Sequence, residues 1–577
     1  MKKFYVSRLI AAFLIFISHS SFSADESDLI RVSDSRIWQT LIHSWNGNPQ
    51  IPSKQFLLSY QEFSPLSELK KTLNLIYEEP KKAYCRFPAR TTFLKRALKL
   101  VVEDFSPSDC DERFSKYIDH VPFDRLELVF ASEVFSSSSS MMGHIFLKTS
   151  GKNYRNVPVS HSLAYFTEIT TLNPITLIAE SLVTGMPGFF TVRPFEKDRH
   201  QYVDIEERNL WQFTLSAEAE SIELIRLHLW ELKDTDLVYY FQSFNCATLT
   251  LELLALIKPD VLDERRLFVS PLDVVKAARD TGLINTTNVI AADKWLRYVL
   301  DDQLSSTEKQ QVDDAIADRG IVASLSPLQK QYFSLIDERA EVVLQGNFVF
   351  DLSKYKHPAK TPQDSVFSVG LSSSDGQVAL ISRFLAAGHS LSSDNRQYLH
   401  ESELVMGNIV VETSFEDAET KLREFALYSV RTLPPSTQID PSWSGELYLG
   451  YRPSFDSSLS SRSQGELSFG FGKTLSFHKD LRIFSLVGGG LGSDFNDTNL
   501  FGSIKVGVIA DLILDSKFVS ELEWASHKLA DSPGYISSQS SISWFPAQDN
   551  AVAIHYSVTK NELMSKNEIG LTYSLHF

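Results

Sequence analysis

Three cysteines and fourteen histidines are the side chains of this 577-residue chain best suited to covalent chemistry. Cys246 lies in Phe244-Asn245-Cys246-Ala247-Thr248-Leu249, where a strand-like run, Val238-Tyr239-Tyr240-Phe241, hands over to an apolar helix. A cysteine in the first turn of a helix feels the partial positive charge and unpaired N–H groups of that terminus, and both favour the nucleophilic thiolate. Neighbouring N–H groups, around Asn245 and Ala247, would also hold the oxyanion of a tetrahedral intermediate. The plain alternative is a small buried core residue, the commonest fate of a free cysteine. A thiol nucleophile needs a base. His144 is the candidate, because Gly143 before it permits close approach and a strand follows, in Ser140-Met141-Met142-Gly143-His144-Ile145-Phe146-Leu147. The next strand-like run, Ser160-His161-Ser162-Leu163-Ala164-Tyr165-Phe166, offers His161 as a partner to orient it. Met141, Met142, Phe189 and Phe190 would either guide an acyl chain or pack as ordinary core.

The compartment decides what the other cysteines do. Lys2, Lys3 and Arg8, then the apolar run Leu9 to Ile17, then small Ser21 and Ser23, form a secretory leader over residues 1–23. The mature chain therefore enters an oxidising space, where nearby cysteines pair. Cys85 and Cys110 are 25 residues apart, and a disulfide closing that loop is the simplest account, although sequence alone leaves the other two pairings open. With that pairing Cys246 is left as a free thiol.

Several function classes drop out. A net charge of −16 gives no basic surface for nucleic acid. No His-Glu-x-x-His, paired-cysteine motif or dense histidine cluster suggests a metal. No Gly-x-Ser-x-Gly elbow, phosphate-binding loop or dinucleotide fingerprint suggests another catalytic class or a cofactor.

The elements that must position these residues fall into distinct textures. Residues 24–120 read as a helical N-terminal domain, with capped helix starts at Ser35 and Ser64. Residues 121–290 mix strands, such as Leu126 to Phe130 and His144 to Lys148, with a helix from Ala247 to Ile257 closed by Pro259. A helical linker, 291–345, leads into residues 346–577. There, from about Val366, runs of about ten residues alternate apolar with polar or small. The last run puts Ile569, Leu571, Tyr573, Leu575 and Phe577 on one face. About 12 such segments, in a secreted chain without spanning helices, predict an antiparallel outer-membrane β-barrel rather than a soluble β-sandwich. An even strand number returns both barrel ends to the periplasmic side, which tethers the N-terminal domain there.

In order along the chain, Cys85-Arg86-Phe87-Pro88-Ala89-Arg90, Leu128-Val129-Phe130-Ala131-Ser132, Ser140-Met141-Met142-Gly143-His144, Gly185-Met186-Pro187-Gly188-Phe189-Phe190, Tyr202 with Glu207-Arg208-Asn209-Leu210-Trp211, and Phe244-Asn245-Cys246-Ala247 form a set of landmarks. Over roughly residues 35 to 260 this set resembles the Lnb N-terminal periplasmic domain family, named for a bacterial lipoprotein N-acyltransferase. The His-then-Cys order, with Cys opening a helix, is also similar to circularly permuted papain-like thiol enzymes of the NlpC/P60 and lecithin–retinol acyltransferase kinds. The resemblance implies an α+β papain-like domain with Cys246 as nucleophile and His144 as base. Where the family carries an Asn-Tyr pair on the second strand this chain has Ala164-Tyr165-Phe166, which leaves the third member to His161. The expected activity is acyl transfer or acyl hydrolysis through a Cys246 thioester, on phospholipid or lipoprotein acyl groups beside the outer membrane and with no cofactor. The rivals are a cell-wall amidase or peptidase with the same dyad, and a non-enzymatic barrel with a structural Cys246.

Overall fold

The computed structural model describes residues 25–577 except 134–141, 168–175, 177–179, 267, 338–350, 437–440 and short loop positions at 456–457, 460, 479, 495–496, 527 and 529–533. The leader over 1–23, the serine run with Met141, and the end of the helical linker lie outside the described residues.

The N-terminal helices start where their caps dictate. Ser35 opens the helix Arg36–Leu41 by accepting from the Trp38 N–H, and Ser64 opens Pro65–Glu78 by accepting from Ser67 N–H. Between them lies a two-residue hairpin, β1 (Ser44–Trp45) and β2 (Asn48–Pro49). Three more helices follow, Pro80–Arg86, Pro88–Ala97 and Glu112–His120, and Cys85 and Cys110 form a disulfide across them with their Cα atoms 5.5 Å apart.

Next comes a seven-stranded antiparallel sheet in the order β8-β6-β5-β4-β3-β7-β9. Its strands are β3 (Arg125–Ala131), β4 (His144–Lys152), β5 (Pro158–Thr167), β6 (Met186–Pro194), β7 (Leu210–Leu215), β8 (Leu237–Tyr239) and β9 (Ile284–Ile290). Both faces are covered. Leu126, Leu128, Phe130, Ile145, Leu147, Leu163 and Tyr165 pack with the helix Cys246–Ala255 on one side. Val129, Ala131, Phe146 and Ala164 pack with Phe195, Val203 and Leu210 on the other. Helices Asp293–Gln303, Ser306–Ala317 and Pro327–Ile336 then form a small bundle around Leu300, Val312 and Phe333.

Twelve antiparallel strands, β10 (Val366–Ser374) through β21 (Ser565–His576), close into a barrel when β10 pairs with β21. Because Val366 sits beside His576, both barrel ends open at one rim, and the preceding domain docks there through Lys276 Nζ donating to Pro362 O at 2.6 Å. Outward positions are apolar and exposed, including Phe367, Val369 and Leu371 on β10 and Ile569, Leu571, Tyr573, Leu575 and the chain end, Phe577. Trp443 and Phe471 stand 6.4 Å apart among the exposed residues near that rim. An apolar outer wall with aromatic margins is the surface a lipid bilayer requires.

The inside is charged and cross-braced. Lys517 on β18 (Ser516–Ala525) reaches Glu401 on β12 (Glu401–Ser414) at 2.5 Å, six strands around the wall. Arg431 on β13 (Thr420–Leu433) bridges Glu521 at 2.6 Å and Glu446 at 3.0 Å, and Arg423 reaches Glu568 at 2.7 Å. These pairs lace the lumen and leave an internal cavity of about 550 Å³. No helix among the described residues is long and apolar enough to cross a membrane.

Candidate active site

The helix Cys246–Ala255 starts at an Asn245 cap. Asn245 accepts from the Thr248 N–H at 2.9 Å, while its amide donates to Phe241 O at 2.8 Å and Val269 O at 3.1 Å. Every residue of this helix is buried, so the helix lies deep against β4 and β5 with Cys246 in its first turn. Cys246 is the free cysteine, and only 5% of it is exposed. Its sulfur is met by the backbone N–H groups of Ile145, Ala247 and Cys246 itself and by the Tyr239 hydroxyl. Tyr165 roofs the site, with its ring 5.3 Å from Tyr239 and 5.8 Å from Phe244. The roof explains a glycine: a Cβ on Gly188 would stand 2.5 Å from the Tyr165 hydroxyl.

Electrostatically the pocket holds a thiol, not a thiolate. Burial pushes the Cys246 thiol up, and the four donors only partly offset it. Burial and the neighbouring Cys246 likewise keep Tyr165 and Tyr239 as phenols, so Tyr239 donates toward the sulfur. Convergent N–H groups and a phenol on one buried point are the donors that acyl-transfer chemistry uses to carry developing negative charge.

The structure does not bring His144 to this point. His144 pairs with Ala131 at the start of β4, and its ring lies 6.0 Å from Phe146 and 6.1 Å from Tyr202, among the residues of the far face. Ile145, one residue on, faces Cys246; successive strand residues point to opposite faces. His144 is neutral, pulled down to about 3 by burial and by Arg208 and Arg193. The structure thus places the Cys246 and His144 side chains of the expected dyad on opposite faces of one sheet. Gly143 serves a different purpose from the one expected. Its backbone is left-handed at φ +81°, and a Cβ there would stand 2.5 Å from the Phe130 ring.

His161 does share the Cys246 face, as Tyr165 does, but it lies four residues away along β5, about 13 Å at strand rise. It pairs with Thr149, and burial lowers its pKa. It contacts neither Cys246 nor His144 as an orienting partner would. Asn245 is fully committed to capping, so its side chain is no oxyanion donor, whereas the Ala247 N–H does face the sulfur. Phe190 packs toward the Cys246 side, and Phe189 is exposed beside Phe166 on the other.

Sequence reasoning also missed a buried polar chain behind the site. Glu252, on the Cys246 helix, binds His43 and Arg265. His43 Nε2 lies 3.0 Å from His228 Nε2, and His228 Nδ1 lies 3.3 Å from Glu231. Glu231 holds Arg90 at 3.2 Å, and Arg90 holds Glu68 at 3.1 Å, all three with fully buried side chains. Burial holds His228 down at about 4. The chain clamps the N-terminal helices onto the sheet domain. Its only trace in sequence is Arg90 at the end of the Cys85-to-Arg90 landmark.

Comparison with known proteins agrees with this division. Residues 113–281 match the family model described as the Lnb N-terminal periplasmic domain, and two domain models of unknown function match residues 31–97 and 356–576. No curated protein matches the chain in sequence. Among solved structures, the KdgM porin is similar at 8% identity and a TM-score of 0.24, covering 37% of this chain and 99% of its own. Outer membrane phospholipase A from Escherichia coli is similar at 10% identity and a TM-score of 0.23, over 37% of this chain and 91% of its own. The anion-selective porin from Comamonas acidovorans is similar at 9% identity and a TM-score of 0.21, over 37% of this chain and 98% of its own. Residues 113–281 thus match the Lnb N-terminal periplasmic domain, and that part of the chain docks at one rim of a closed twelve-stranded β-barrel.

Proposed function

We propose that this protein is an outer-membrane-anchored thiol enzyme of the acyl-transfer class, with Cys246 as nucleophile in a permuted papain-like arrangement. One observation carries the reading: the free thiol sits at the first turn of a buried helix, with N–H groups and the Tyr239 phenol aimed at its sulfur. In the first half-reaction the sulfur attacks the carbonyl of an acyl ester and a C–S bond forms. The N–H groups of Ile145 and Ala247 take the oxyanion. Collapse breaks the C–O bond; the thiol proton passes through Tyr239 to the departing alcohol oxygen, leaving an acyl thioester on Cys246. In the second half-reaction an amine or a water attacks the thioester, restores the thiol and carries away the acyl group as amide or acid. A lipoprotein α-amine as acceptor makes the enzyme an N-acyltransferase; water makes it a hydrolase.

The test is a thioester trap. The purified full chain in detergent is incubated with a phospholipid labelled in its acyl chain, and the label bound to protein is released with neutral hydroxylamine. Hydroxylamine-sensitive label on the native chain and none on Cys246→Ala is the expected result. Equal labelling of both removes Cys246 from the chemistry. Release of peptide fragments from purified peptidoglycan, with no label on the chain, would assign the thiol to cell-wall cleavage instead.

A further inference from the structure

The catalytic domain does not only stand on the barrel rim; it reaches around to the outer wall. Met142, three residues before the Ile145 N–H that meets the Cys246 sulfur, packs against the Leu404–Val430 pair of β12 and β13, as do Met406 and Tyr428 of the same strands. The faces of these strands are fixed by their neighbours. Arg431, next to Val430, turns inward to Glu446 and Glu521, and Val405, next to Leu404, packs inside with Val366, Leu385, Ala426 and Tyr448. Leu404 and Val430 therefore point outward, toward lipid.

Cross-strand pairing makes the relation to the membrane concrete. Leu404 pairs with Val430, Val430 with Leu447, and Leu447 with Phe469, so one outward apolar row crosses four strands. Its first two members are 3% and 9% exposed beneath Met142, and its last two are 36% and 58% exposed. The same row thus passes from protein-covered to open wall without a charged residue between. Met142 is three residues from Ile145 across the left-handed Gly143, so at most about 10 Å of chain separates them, roughly the length of half an acyl chain. The lumen offers no comparable route, because it is cross-braced by Glu401–Lys517, Arg431–Glu521 and Arg423–Glu568.

Building on the acyl-transfer reading, we propose that the donor substrate is a bilayer-resident phospholipid taken laterally from the inner leaflet. Its acyl chain lies on the Leu404–Val430–Leu447–Phe469 row and passes Met142 toward Cys246. Continuity with the lipid-facing wall selects this occupant over a soluble thioester or a peptide, since both would have to displace lipid from the row.

Two arms test it in the full chain reconstituted into phosphatidylethanolamine–phosphatidylglycerol vesicles. In the first, Met142→Cys in a Cys246→Ser background is labelled with a small fluorophore, and quenching is compared for acyl-chain-brominated lipid and for aqueous iodide. Strong quenching by the brominated lipid, comparable to a probe at Leu447→Cys, is expected; quenching by iodide alone would overturn the lipid location whether or not the protein is an acyltransferase. In the second, Met142→Glu is expected to reduce turnover of vesicle phospholipid at least tenfold more than turnover of a monomeric short-chain ester. Equal losses on the two substrates would overturn lateral entry. A native chain inactive on both substrates but quenched by lipid would sink the acyl-transfer reading while leaving the surface assignment intact.

Discussion

The seven-stranded sheet and the barrel are both wholly antiparallel, yet their strands are written differently. Barrel strands place exposed Ile569, Leu571 and Tyr573 outward and polar Glu568, Gly570 and Thr572 toward the cavity, so the alternation is sharp in sequence. In β3 both faces are covered by protein, and Leu128, Val129, Phe130 and Ala131 run on without a break. The difference teaches that a strand's pattern reports what lies beyond each face. Where lipid meets one face and an ion-pair lattice the other, a one-residue slip is ruinous. Where apolar packing meets both, a slip exchanges like for like and leaves no mark.

The two regions should also differ in what a charge change costs. The largest effect is expected at Arg90, whose side chain is fully buried between Glu68 and Glu231. Arg90→Met strands two buried carboxylates and should destabilise the periplasmic part by about 3–5 kcal/mol. Chemical denaturation of the full chain, followed by limited proteolysis of the helices before residue 120, would read it. A loss under about 1 kcal/mol, the range of an exposed pair, would mean the clamp is not closed as described. In the barrel the cost should depend on face alone. Leu571→Arg puts a cation on the lipid side and should cost about 2–4 kcal/mol near mid-bilayer, whereas Thr572→Arg, one residue on, faces the cavity and should cost about 0–1 kcal/mol. Urea titration of the barrel refolded into vesicles separates the two, and equal costs would break the inside–outside assignment.

The same contrast explains what could be read in advance. The barrel was legible to its strand number, because alternation and the turns between runs report what lies on each face of its strands. The N-terminal helices were legible from Ser35 and Ser64, whose caps are local interactions. Cys246 opening a helix, and the pairing of Cys85 with Cys110, were legible for the same local reason. The face of His144 was not. Neighbouring residues on a strand point oppositely, and with apolar Ile145 and Phe146 beside it nothing in the sequence says which side holds the helix. Tyr239 was likewise invisible as a site residue, since its meeting with Cys246 depends on β8 pairing with β6 at the sheet edge. His43, His228, Glu231 and Glu252 come from segments up to 209 residues apart, and no local pattern announces such a chain.

This leaves the smallest predicted effect as the most pointed test of the site. If Tyr239 relays the proton and His144 serves packing on the far face, His144→Gln should change kcat/KM by no more than about twofold. Tyr239→Phe, which removes the donor beside the sulfur, should lower it by about 10²-fold. The pH profile sharpens the distinction. Burial raises the Cys246 thiol above its ordinary range, so the thiolate fraction is small at neutral pH and grows as pH rises. Because the proposed step starts from the protonated thiol, kcat/KM for a monomeric ester should stay flat through neutral pH, with no inflection between pH 6 and 7, where His144 is already neutral. A histidine inflection near pH 6 to 7 that vanishes in His144→Gln would place that imidazole beside the sulfur in the working enzyme. The start of β4 would then have to turn over to present His144 to the helix face, and Ile145 would leave the core it now fills.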